Sequence, residues 1–106
     1  MSRRIRVLIW YRSPPGDADR MAAAFHGIAA ELAGTPGLVG SELLEALTDT
    51  GSVVVMSEWE SLVAFQTWEQ GSSHKATTAP LRSYQDRSRE RTFEVYEVAA
   101  SALWSG

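Results

Sequence analysis

The sequence predicts an α+β fold of the ferredoxin-like kind, in the order strand, helix, strand, strand, helix or helix pair, strand, on an antiparallel sheet. Three observations predict it. The stretches Ile5 to Tyr11 and Ser52 to Trp59 are rich in β-branched and aromatic residues, the composition that suits a pleated surface. Met21, Phe25, Ile28, Ala29 and Leu32 recur at helical spacing between two Pro/Gly breaks, which makes one apolar stripe. Trp59 passes through Glu60-Ser61 straight into Leu62, so a strand turns into a helix within about three residues.

Each element follows from its own residues. In the first strand Ile5, Val7, Ile9 and Tyr11 share one face, and Leu8 and Trp10 share the other. Pro14-Pro15-Gly16 ends it, and Asp17 or Asp19 is placed to cap the first helix. That helix stops near Gly34, with Pro36-Gly37 beyond it. Leu38 to Leu47 is the second strand, and Thr48-Asp49-Thr50-Gly51 is a hairpin turn into the third, Ser52 to Trp59. Ser61 offers a hydroxyl to the free amides of a helix from Leu62 to about Gln70, which Gly71 ends. Ser72 or Ser73 would cap a further helical stretch through about Tyr84, with Pro80 either in its first turn or at a kink. The last strand is Arg91 to Val98, with Phe93 and Val95 opposite Tyr96 and Val98.

With 106 residues, of which 44% are hydrophobic, the chain reads as one domain, since domains typically hold about 100–150 residues. Its core spans about 5–98 and a tail runs over 99–106, with Leu103 and Trp104 as the large apolar residues of that tail. Cysteine is absent, which removes zinc-thiolate, iron–sulfur and thiol-nucleophile chemistry. The net charge is −3, and Arg3, Arg4, Arg6, Arg82, Arg87, Arg89 and Arg91 are interleaved with acids, so no nucleic-acid footprint is expected. The apolar run Val7 to Trp10 is too short for a signal peptide or a membrane span. A cytoplasmic protein is the expectation.

Helices of a ferredoxin-like domain cover one sheet face. The first strand, and the third with Val53 and Val55 opposite Val54 and Met56, are apolar on both faces. A second copy of the same sheet is the economical cover, which predicts a two-fold homodimer through the open face.

The chain resembles the antibiotic biosynthesis monooxygenase family over about residues 5–98. The resemblance is carried by Thr35-Pro36-Gly37-Leu38-Val39-Gly40, Ser57-Glu58-Trp59-Glu60-Ser61, Ala64-Phe65, Trp68 and His74. It implies a dimeric α/β barrel. Activities in such a family range over oxygenation, haem degradation and isomerisation, so the fold does not fix the function. The haem-degrading branch has a strand-one Asn, a helix Trp and a ligating His about nine or ten residues beyond it. Trp68 matches the Trp, whereas Thr77 and Thr78 stand in place of the His, His74 falls early and the chain has no Asn. Haem is therefore disfavoured. The branch that oxidises anthrones and quinols with dioxygen as co-substrate and no cofactor fits better. There Trp59 matches a Trp and Arg82 stands near an Arg, while Val55 replaces an Asn and Phe65 a Tyr.

The resemblance and the residues together point to a cofactor-independent monooxygenase of a small phenolic, quinol or anthrone-like polyketide intermediate. The alternatives are an isomerase or cyclase on the same scaffold, or a ligand-binding dimer without turnover. Trp59, His26, His74 and Arg82 are the candidate catalytic residues, and Trp10, Tyr11, Phe65 and Trp68 the candidate substrate contacts. Each has a plainer reading. Trp59 and Trp68 suit core packing, and His26 sits beside the helix stripe as a structural imidazole would. His74 suits a cap, and Arg82 suits an ion pair. Only one of Trp10 and Tyr11 can face the helix-side cavity, and the other belongs to the interface. Tyr84, Tyr96 and the run Arg87, Arg89, Arg91 read as surface or sheet-edge residues.

Overall fold

The computed structural model describes residues 3–71, 74–102 and 104, without the side chains of residues 74 and 75. These residues form β1 (Ile5–Arg12), α1 (Ala18–Leu32), β2 (Leu38–Glu45), β3 (Ser52–Trp59), α2 (Leu62–Glu69), α3 (His74–Arg82) and β4 (Phe93–Glu97). The sheet order is β2-β3-β1-β4 with every neighbouring pair antiparallel. This is the expected ferredoxin-like α+β architecture. The expected cap residues Ser72 and Ser73, and Leu103 of the tail, lie outside the described residues.

The register sorts the side chains into rows. On the helix side, Leu43, Val55, Ile9 and Phe93 lie across the sheet in one row, and Ser41, Ser57, Val7 and Val95 in the next. On the open side, Leu44, Val54 and Trp10 form one row, and Glu42, Met56, Leu8 and Glu94 another. A third open-side row, Gly40, Glu58, Arg6 and Tyr96, is polar, and Glu58 accepts hydrogen bonds from both Arg4 and Arg6. Both faces of the central strands thus carry apolar side chains. On the helix side Ile5, Val7, Tyr11, Val53 and Trp59 are buried while Phe93 and Val95 of β4 stay exposed, and on the other side Leu44 and Tyr96 stay exposed.

The helix-side core has two clusters. Tyr11, Met21, Ile28, Val53 and Leu81 make one, Ile5, Val7, Trp59 and Phe65 the other, and Ile9 packs against both. Helix α2 begins as expected, with the Ala64 amide donating to Ser61 Oγ at 3.1 Å. It packs close to the start of β2, because Gly37 has φ +81° and a Cβ there would collide with that of Ala64. Only glycine meets both demands.

Three expectations need correction. Asp17 is the N-cap residue of α1, yet its side chain makes no cap bond. Asp17 Oδ2 instead accepts the Tyr84 hydroxyl at 3.1 Å, and Tyr84 is half-buried against the core at the edge of β1, the sheet-edge and not the surface alternative. The last strand is shorter than expected, since residues 84–86 are spent on the edge of β1. Arg12 N donates to Tyr84 O, Asp86 N donates to Trp10 O, and Gln85 bridges Tyr11. Pro80 lies inside α3 past its first turn, so the helix goes without the hydrogen bond that an N–H at this position would donate.

Candidate functional site

A cavity of about 450 Å³ lies between the helix face of the sheet and the three helices. Val7, Ile9 and Val55 make its floor. Helix α1 supplies Phe25, Ile28, Ala29 and Leu32, α2 supplies Phe65, Trp68 and Glu69, and α3 supplies Thr78, Leu81 and Arg82. The apolar stripe of α1 read from the sequence is therefore this cavity's wall. Its size falls within the range of small-molecule sites, roughly 300–1,000 Å³.

At one end Trp59, Phe65 and Trp68 form an aromatic group. Trp59 meets Phe65 edge-on at 5.6 Å between ring centroids and tilts against Trp68 at 5.5 Å. Such pairs favour offset and edge geometries because of the ring quadrupole. Trp59 is 1% exposed, and its indole N–H donates to Ser57 Oγ at 3.0 Å. The ring is therefore a fixed wall, and its polar atom already has an internal partner.

At the other end is Tyr11, 4% exposed and packed among Met21, Ile28, Val53 and Leu81. Burial pushes its phenol up to about 12, against a smaller opposing pull from the Arg82 guanidinium. A buried phenolate would be poorly solvated, so the neutral form persists. Arg82 is exposed at the cavity's rim, where its Nη2 donates to Thr78 Oγ1 at 3.3 Å.

The structure thus brings Tyr11, Trp59, Phe65, Trp68 and Arg82 to one cavity. Trp10 is not there. It points to the open face, with the Arg89 guanidinium 4.0 Å above its ring. His26 is not there either. It follows Phe25 by one residue, about 100° of helix rotation, and this carries the imidazole off the stripe to the exposed side, against the edge of Phe25. The side chain of His74 lies outside the described residues. Ser41, Ser57, Glu69, Thr78 and Gln85 are cavity residues that the sequence reading passed over. Ser57 was within reach by the period of two from Trp59, and Glu69 and Thr78 by the helical spacing from Phe65 and Arg82.

A family model for antibiotic biosynthesis monooxygenases matches residues 4–80. The chain belongs to this family. It is 24% identical over 97 residues to protein SchA of Streptomyces halstedii and 30% identical over 78 residues to the 42.8 kDa protein in the whiE locus of Streptomyces coelicolor. Those matches take in 92% and 74% of this chain but only 26% and 20% of the two relatives, so the chain spans about a quarter of their length or less. Among solved structures, the haem-degrading protein Rv3592 of Mycobacterium tuberculosis superposes with a TM-score of 0.76 at 19% identity, over 98% of this chain and 100% of that one. A variant of SnoaB, a cofactor-independent oxygenase of Streptomyces nogalater, gives 0.70 at 20% identity, over 96% and 97%. Likeness at these identities establishes the shared fold.

Haem fits the described residues poorly. Thr78, not an imidazole, lines the cavity on α3, and no described His or Cys does. Among the described residues no helix is long and apolar enough to cross a membrane.

Proposed function

We propose that this chain is a cofactor-independent monooxygenase acting on a phenolic, quinol or anthrone-like polyketide intermediate, as a homodimer joined through the open sheet face. The observation that carries the reading is the aromatic-walled cavity of about 450 Å³ inside a domain of this family. An electron-rich ring methylene reacts with dioxygen to give a ring carbonyl. One oxygen atom enters the product, the other leaves as water, and the substrate itself supplies the electrons. The protein's part is to exclude water, hold the ring flat between aromatic walls and stabilise the anion left when a ring proton departs. SnoaB, similar in fold, is described as a cofactor-independent oxygenase, in keeping with this reading, and the choice against haem rests on the cavity's own residues.

A second reading, non-oxidative chemistry or ligand binding on the same scaffold, draws on one observation. Deep in the cavity burial holds the Tyr11 phenol in its neutral form, so it is not a ready base near pH 7. Dioxygen consumption by the purified chain with a panel of anthrones and quinols, read with product mass, separates the two. An oxygenase consumes dioxygen and adds oxygen to the product. An isomerase leaves the mass unchanged, a cyclase at most removes water, and a binding protein returns the ligand intact.

A further inference from the structure

We infer that the Tyr11 hydroxyl is the hydrogen-bond donor that receives the substrate's carbonyl or phenol oxygen inside the cavity. The inference rests on the cavity being the substrate site and names how this chain reads its ligand.

Tyr11 is anchored at its backbone by the register of β1 with β3 and by the bridge to Gln85. Its ring is held by two helices and a strand, through Met21, Ile28, Leu81 and Val53. The hydroxyl at the end of that fixed ring makes no hydrogen bond with any described residue. Tyr84 shows the contrast, since its hydroxyl donates to Asp17. Among the described residues no side-chain nitrogen or oxygen is both sealed from solvent and unpartnered. The Tyr11 oxygen, having no partner, is therefore open, and the space beside it is the cavity it lines.

A phenylalanine would pack the same space without a polar atom to satisfy, and a buried hydroxyl without a partner is costly. The other polar side chains of the cavity are Ser41 and Ser57 on the sheet, Glu69, Thr78 and Arg82 on the helices, and Gln85. Val55 and Phe65 are apolar, and the Trp59 N–H is committed to Ser57. Along the strands, Tyr11 lies level with Val53, four residues from Ser57, or about 14 Å. Tyr11 thus stands at one end of the floor and the Ser41 and Ser57 pair toward the other, with Val55 and Ile9 between them.

The electrostatics suit an oxygen that gains negative charge. Burial keeps Tyr11 protonated, so it can only donate to an anion near neutral pH, and Arg82 is close enough to oppose that burial with its positive charge. Proton loss from a ring methylene moves charge onto the conjugated carbonyl oxygen. A hydrogen bond placed there strengthens as the charge develops.

The test uses the full chain and 1,8-dihydroxyanthraquinone, whose visible absorption follows the state of its oxygens. Wild-type protein is expected to bind it and shift its spectrum. Tyr11→Phe is expected to bind about tenfold more weakly, the effect of one hydrogen bond, and to lose the spectral shift. Without ligand, Tyr11→Phe is expected to melt at or above the wild-type temperature, because no internal bond is removed. Equal affinity and spectrum in both proteins would overturn the Tyr11 assignment while leaving the cavity as the binding site. A clear fall in melting temperature of the ligand-free variant would overturn it as well, by showing an internal partner. Failure of the wild-type protein to bind would remove the cavity reading and Tyr11 with it.

Discussion

Tyr11 and Trp10 are neighbours on β1, yet one is buried at 4% exposure against the helix-side cavity and the other lies on the open face beneath Arg89. The same division runs through the whole sheet. Val55 and Val54 or Ser57 and Met56 are adjacent in sequence and belong to different surfaces. The helix side is a core that has kept a hollow, whereas the open side is an apolar strip bordered by the Arg4, Arg6 and Glu58 cluster. What separates them is cover, since the strands supply apolar residues to both. The covered face encloses a cavity of small-molecule size, and the uncovered face suits a flat partner such as its own copy.

The contrast is most easily broken at Trp59. Trp59→Ala should cost about 3–5 kcal/mol in denaturant-induced unfolding, because it empties a buried site that cannot fully collapse. Trp10→Ala should cost far less, and equal losses would mean that the two faces are packed alike.

Alkaline titration tests the same contrast more finely. Folding raises the Tyr11 phenol from 10.0 to about 12, so its contribution is intact below pH 10 and is lost as pH rises toward 12. Unfolding curves collected across that range should show a steeper loss of stability in the wild-type protein than in Tyr11→Phe. Tyr84 is also raised, by its bond to Asp17 first and burial second, but it is present in both proteins.

The smallest effect on stability and the clearest on assembly is expected at Met56. Met56→Lys places a charge on the open face and should change monomer stability by only about 0.5 kcal/mol. Light scattering should find the wild-type protein dimeric at micromolar concentration and the variant monomeric. A wild-type monomer would leave the open face without its partner.

Local features were legible in the sequence. The doubly apolar strands, the stripe on α1 and the Ser61 cap depend on residues a few positions apart, and each is present as read. The Trp59, Phe65 and Trp68 group was legible because a strand end and one helix turn set it. His26 failed because one step of a helix separates a wall residue from a solvated one. The Asp17 to Tyr84 bond links positions 67 residues apart, and no local pattern encodes it. The standing of Tyr11 depends on its hydroxyl having no partner among the described residues, which only the assembled cavity reveals. Gly37 reads as a turn residue in sequence, whereas its fit against Ala64 appears only once α2 is in place.

The tilt of Trp59 against Trp68 carries an optical consequence. Two indoles with centroids 5.5 Å apart and planes at 35° couple their near-ultraviolet transitions, and both border the hollow. The cavity thus has a built-in chromophore pair whose circular dichroism depends on ring spacing. Trp10 and the solvent-exposed Trp104 absorb at similar wavelengths but lie outside that pair, so a change in the coupled signal reports on the cavity wall itself.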